Sequence, residues 1–173
     1  MRSVRFLGIV VVVGLLAATA CKPKVEPPKE VETFSCDTLD NLLTPQAVVV
    51  DKQGAAEGGG ALKMVAEQPA TIPLYDMKFP GEGAKFTLRY KMKVKDFLGD
   101  AYGQMDVNFA SGGKQEVKNY QTALGATSDW LDRELVYTVQ KGQKVNSITF
   151  SAVLGGSGTV WVDDVHLIRA PLP

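Results

Sequence analysis

The sequence predicts an all-β fold, an antiparallel β-sandwich of about eight or nine strands, on three observations. Residues 84–95 alternate strictly, with Ala84, Phe86, Leu88, Tyr90, Met92 and Val94 on one face and Lys85, Thr87, Arg89, Lys91, Lys93 and Lys95 on the other. A period of two is the mark of an extended chain with one buried face. Shorter runs of this kind recur between glycine-rich clusters such as QGAAEGGG, FPGEG, ASGGK, QKGQ and GGSG, where glycine supplies the positive φ of turns. No segment of helical period competes with them, and strands so closely spaced pack as two antiparallel layers.

The first 21 residues carry a different signal. Arg2 and Arg5 precede an apolar run from Phe6 to Ala20, and the small residues Ala18, Thr19 and Ala20 lead directly to Cys21. That order reads as a secretory signal peptide over residues 1–20; the run falls short of the about 20 apolar residues a membrane-spanning helix needs. AATAC resembles the lipobox of bacterial lipoproteins, with Ala18 where that class prefers leucine. The resemblance implies a lipidated Cys21, carrying a diacylglyceryl thioether and an acyl chain such as palmitate on its amine. It also implies a place in the cell envelope, at the outer membrane or the outer face of the inner membrane. Ordinary cleavage leaving Cys21 as a free thiol is the alternative.

Residues 21–30 are expected to form a lipidated cysteine and a tether: three prolines and five charged side chains surround Val25, so the segment cannot nucleate a core. Without residues 1–20, 17 Lys and Arg face 19 Asp and Glu, a balance with no global attraction to nucleic acid. Residues 31–170 suffice for one domain, expected as a monomer. Cys36 is the only other cysteine, so with Cys21 acylated no internal disulfide forms and Cys36 behaves as a small buried hydrophobe.

Strands are expected at 46–51, 61–66, 71–77, 84–95, 102–109, 133–139, 146–153 and 159–168. In 102–109, Gly103, Met105, Val107 and Phe109 turn inward and Tyr102, Gln104, Asp106 and Asn108 outward. An aromatic ring beside an amide and a carboxylate suits a sugar, whose C–H face packs on the ring while the oxygens take hydroxyl protons. Ser147, Thr149 and Ser151 turn away from Ile148 and Phe150 in the same manner, and Tyr120 is a further candidate aromatic. Any half-exposed strand also shows polar residues outward. Lys85, Arg89, Lys91, Lys93 and Lys95 form a basic stripe that could meet an anionic partner, or could serve as a solvated face that resists aggregation.

The segment GSGTVWVDDVHL at 156–167 resembles the closing strand of galactose-binding-like jelly rolls, which include many carbohydrate-binding modules. Asp51 and the glycine-rich turn before ALKMV, the strand KFTLRYKMKV, the SDW at 128–130 and the GGSG hairpin follow in that family's order. FSCDTLDNLL at 34–43 departs from the Asn-x-x-Phe-Glu-like start of its sugar-binding branches. The resemblance implies a jelly-roll sandwich over residues 32–169. It also brings a candidate structural calcium at Asp163, which shares a strand face with Trp161, Val165 and Leu167 and needs a partner there. Carbonyls near Glu57 to Gly60 would complete a calcium site; backbone N–H groups of that loop would satisfy Asp163 without a metal. Asp164 is expected to be solvated.

Catalytic machinery is not legible. His166 is the single histidine, no GxSxG elbow occurs, GEGAKF lacks the third glycine of a dinucleotide loop, and the glycines at 58–60 are not followed by the Lys of a phosphate loop. Asp96 and Asp100 alone do not make a glycosidase. The sequence therefore leads to a non-catalytic, membrane-anchored carbohydrate-binding-like module for an envelope or environmental glycan. A structural or protein-interaction lipoprotein is the alternative.

Overall fold

The computed structural model describes residues 26–120 and 123–172, with Phe79 and Pro80 in backbone alone. Cys21 and the residues 1–20 expected to form a signal peptide lie outside them. Ten strands form two sheets, every pairing antiparallel. They are β1 (Lys29–Phe34), β2 (Val49–Asp51), β3 (Ala61–Ala66), β4 (Ala70–Glu82), β5 (Ala84–Phe109), β6 (Lys114–Lys118), β7 (Leu124–Ala126), β8 (Leu131–Thr138), β9 (Lys144–Leu154) and β10 (Ser157–Pro171). The first sheet runs β2-β3-β10-β5-β8, with β1 beside β10 beyond the end of β3. The second runs β4-β9-β5-β6, with β7 against the middle of β5. This is the jelly-roll sandwich expected.

β5 belongs to both sheets. Residues 84–95 pair with β10 and β8, and residues 101–109 with β9 and β6. The chain turns the corner at 96–100, where Asp96 (φ 50°) and Gly99 (φ 121°) take the left-handed region, a bend by which one strand can serve two layers. Gly158 (φ 136°) closes the same corner; a Cβ there would lie 2.6 Å from the Asp96 carbonyl. The two runs read as separate strands are thus one. β6 and β7 are short and escape the sequence pattern, and β1 begins at Lys29, inside the segment read as tether.

The core lies between the sheets. Phe86, Leu88, Met92, Val94, Leu62, Met64, Val160 and Val162 enter from the first, and Leu74, Met77, Met105, Val107, Ile148, Phe150 and Leu154 from the second, all buried. Each such side chain contributes about 1.5–3 kcal/mol by leaving water. The strict alternation of residues 84–95 is realised as read.

The face of β10 is a correction. Trp161 pairs with Lys63 and Lys93 on the outer side, while Val165 and Leu167 are core residues. A bulge between Asp163 and His166, with Asp164 at φ 51°, inserts a residue and reverses the inward parity. Uninterrupted alternation had put Trp161, Asp163, Val165 and Leu167 on one face; a single left-handed residue separates them.

Candidate functional site

The outer face of the second sheet brings four of the sequence candidates together. β5 is flanked there by β9 and β6, so Gln104 lies between Ser151 and Lys118, Asp106 between Thr149 and Glu116, and Asn108 between Ser147 and Lys114. Gln104 Nε2 donates to Asp106 Oδ1 (2.9 Å), and Lys114 Nζ donates to Asp106 Oδ2 (3.0 Å). Asn108 Nδ2 donates to Ser147 Oγ (3.2 Å) and Thr149 Oγ1 (3.1 Å), and Thr149 Oγ1 donates to Asp76 Oδ1 (3.1 Å) on β4. The polar row is therefore held by two hydrogen-bonded clusters, one across β5 and β6 and one across β5, β9 and β4, which fix the orientations of its amides and carboxylates.

Its relief is that of a trough. Gln104, Ser147 and Ser151 are buried on this uncovered face, while the register neighbours at its two sides, Lys78 on β4 and Lys114 and Lys118 on β6, are exposed. At one end, Tyr102 and Tyr120 meet edge to face, with centroids 4.9 Å apart and rings at 68°, and Tyr120 is 59% exposed. Lys118 and the Tyr102 hydroxyl both hydrogen-bond to the Tyr120 oxygen and pull its pKa below the usual tyrosine value; burial, then that same hydrogen bond, pushes Tyr102 up. Sequence reasoning missed Lys114, Lys118 and Asp76. The alternation of Lys114, Glu116 and Lys118 was the available signal, but it sits in five residues beside a glycine turn.

The first sheet carries the remaining candidates. Asp163 is fully buried, its Oδ2 accepting from Ala56 N (2.8 Å) and Glu57 N (3.0 Å) and its Oδ1 from Asp164 N (2.8 Å). Burial raises its pKa against the pull of these bonds. N–H donors, not metal-ligating oxygens, are what the loop turns toward it, and among the described residues no three His, Cys, Asp or Glu side chains gather as a metal site. The donor set does not fit calcium. Asp164 is half-buried rather than solvated and meets His166 Nε2 at 2.6 Å, while His166 Nδ1 meets Glu30 Oε1 at 2.6 Å.

The basic stripe is divided among different neighbours. Arg89 pairs with Glu134 (2.9 Å), and Lys91 with Asp132 (2.8 Å) and Glu57 (3.3 Å). Lys93 lies between the rings of Trp130 and Trp161, 4.8 and 4.7 Å from their centroids, and donates to the Gly54 carbonyl (2.9 Å). Lys85 and Lys95 are exposed at opposite ends of the part of β5 that lies in the first sheet. A cleft of about 550 Å³ on this face is lined by Glu30, Arg89, Lys91, Asp132, Glu134 and His166, so its walls are mutually compensating charges. Cys36 is buried with Sγ 3.6 Å from the Tyr75 hydroxyl, and burial pushes its thiol up to about 12.

No family model matches the chain, and no curated protein matches its sequence. Solved structures resemble it in shape. The CBM22-1 xylan-binding domain of Paenibacillus barcinonensis Xyn10C superposes with a TM-score of 0.56 at 12% identity, over 84% of this chain and 97% of that one. The CBM22-1-GH10 modules of Clostridium thermocellum xylanase 10B, complexed with xylohexaose, reach 0.57 at 13% identity, over 81% of this chain and 28% of that one. A family 16 carbohydrate-binding module gives 0.51 at 11%, over 70% and 84%. This chain has the β-sandwich fold of carbohydrate-binding modules.

Proposed function

We propose that this protein is a non-catalytic glycan-binding module, held at a bacterial membrane by acyl chains on Cys21, that takes an envelope or environmental polysaccharide along the trough of its second sheet. The observation that carries the reading is the Tyr102–Tyr120 pair, with the Tyr120 ring exposed, at the end of a fixed row of amide, hydroxyl and carboxylate groups. A pyranose ring stacks its C–H face on Tyr120, while Gln104, Asp106 and Asn108 exchange hydrogen bonds with its hydroxyls. A sheet face suits a polymer, which needs a groove open at both ends rather than an enclosed cavity. The xylan and xylohexaose named for the similar structures are polymers or oligomers of this kind. Binding rather than turnover is supported by where the histidine and the thiol are engaged: His166 is held by two carboxylates on the other sheet, and Cys36 is buried.

A glycan array followed by calorimetry on any hit, with wild type, Tyr120→Ala and Asn108→Ala, tests the reading. Loss of a stacking tyrosine is expected to weaken binding by about two- to tenfold, from about 0.5–1.5 kcal/mol of ring contact. No binding above background across envelope and plant polysaccharides refutes it. Retention of an acylated Cys21 in the mature chain, read by mass spectrometry, tests the anchor.

A further inference from the structure

The two ends of the sandwich carry opposite charge, and the tether leaves from the positive one. Lys29 pairs with Arg169 where β1 begins, Lys85 pairs with Ala170 and Thr138, and Lys144 pairs with Glu82. Lys141 and Arg169 line one cleft of about 420 Å³ with Glu82, Gly83 and Pro171. The four lysines are exposed and have no ion-pair partner among the described residues. Glu26, Glu30 and Glu82 are the carboxylates at this end, and the sequence adds Lys22 and Lys24 before it. At the far end, where Leu98 pairs with Ser157 and Gly155 N donates to the Asp100 carbonyl, Glu67, Asp96 and Asp100 stand against Lys95.

We propose that the basic end formed by Lys29, Lys85, Lys141 and Lys144 docks on the anionic phosphate headgroups of the bilayer that holds Cys21, so that the domain stands upright. The inference rests on the anchoring reading above. Lys29 follows Cys21 by eight positions, a reach of at most about 30 Å when extended. An anchored chain therefore keeps this end near the headgroups, where each lysine adds about 1 kcal/mol of attraction to an anionic surface, a factor of about five, within a Debye length of about 8 Å. The acidic far end is repelled by the same surface. Upright docking leaves the trough on the side of the sandwich, clear of the membrane and open to a polymer.

The full acylated chain, labelled with a fluorophore at Gln143→Cys or Leu98→Cys, is reconstituted in phosphatidylcholine vesicles with or without phosphatidylglycerol, and quenching by a headgroup nitroxide lipid is measured. Gln143 lies in the basic turn, and Leu98 is 75% exposed at the far end. Quenching at 143 is expected to rise with phosphatidylglycerol, to stay low at 98, and to fall to the neutral-vesicle level in high salt. The variant K85Q/K141Q/K144Q is expected to shift the upright preference by about a hundredfold, about fivefold per lysine. Equal quenching of the two labels on phosphatidylglycerol, or a salt-insensitive signal at 143, overturns the docking. A chain that floats with neither vesicle overturns the anchor and, with it, the docking.

Discussion

Tyr90→Phe and Gly103→Ala, made singly and together, probe the contact that aligns the trough with the rest of the sandwich. Both residues belong to β5, Tyr90 in the first sheet and Gly103 in the second, and the Tyr90 hydroxyl accepts the Gly103 N–H at 2.9 Å across the buried interior. Tyr90→Phe leaves that N–H without its partner, at a cost of about 1–3 kcal/mol. In Gly103→Ala the new Cβ presses into the hydroxyl, 2.5 Å from Tyr90 Cζ and 2.8 Å from Phe150 Cε2. Overpacking of this kind costs about 1–3 kcal/mol, offset by about 0.5–1 kcal/mol because alanine loses less backbone entropy than glycine. Either change breaks the same hydrogen bond, because the new Cβ must displace the Tyr90 ring, so its loss is counted once in the double variant, which is expected to be less destabilised than the sum by about 1 kcal/mol. Urea unfolding of the four proteins, followed by tryptophan fluorescence, measures the cycle, with the denaturant slope expected to be unchanged. Additivity within about 0.3–0.5 kcal/mol would refute the contact, because uncoupled sites add to that precision.

Stability is expected to fall as pH rises above 6.5. Burial lowers the His166 pKa, but the bonds to Glu30 and Asp164 outweigh it and leave it raised above 6.5 in the folded state. A raised base contributes stability that is complete below the unfolded pKa and lost through the folded one; His166→Gln should flatten the urea midpoint between pH 6 and 9, and an unchanged slope contradicts the clamp. Asp163→Ala is expected to destabilise by several kcal/mol, at about 1–3 per orphaned N–H. The wild-type Tm should not respond to EDTA, and a fall reversed by added calcium would place a metal at Asp163. Cys36, with its thiol pushed up to about 12, should resist alkylation at pH 8 until the chain is unfolded, and rapid labelling of the native protein would remove it from the core.

The sandwich was legible wherever one face of a strand is buried and the alternation runs unbroken. Residues 84–95 and 146–153 needed nothing beyond their own order, because period two and the hydrophobic effect choose the same face. The outward row Tyr102, Gln104, Asp106 and Asn108 was legible for the same reason. β6 and β7 were not, since three to five residues carry too little pattern to stand out from turns.

By itself the sequence determined the two-layer β class, which residues point inward along each regular strand, and the candidate anchor at Cys21. The tertiary structure decided what depends on neighbours distant in the chain. The bulge at Asp164 took Trp161 out of the core and set it around Lys93, because one left-handed residue reverses every side chain beyond it. Asp163 found three N–H groups in place of calcium ligands, two presented by the loop at Ala56 and Glu57 and one by Asp164 at the bulge. The stripe of Lys85, Arg89, Lys91, Lys93 and Lys95 was one feature in the sequence. It was divided by what lies across from each residue, carboxylates beside Arg89 and Lys91, indole rings around Lys93, and a basic end at Lys85. Strand order sets which residues are opposed, and local pattern carries no information about that.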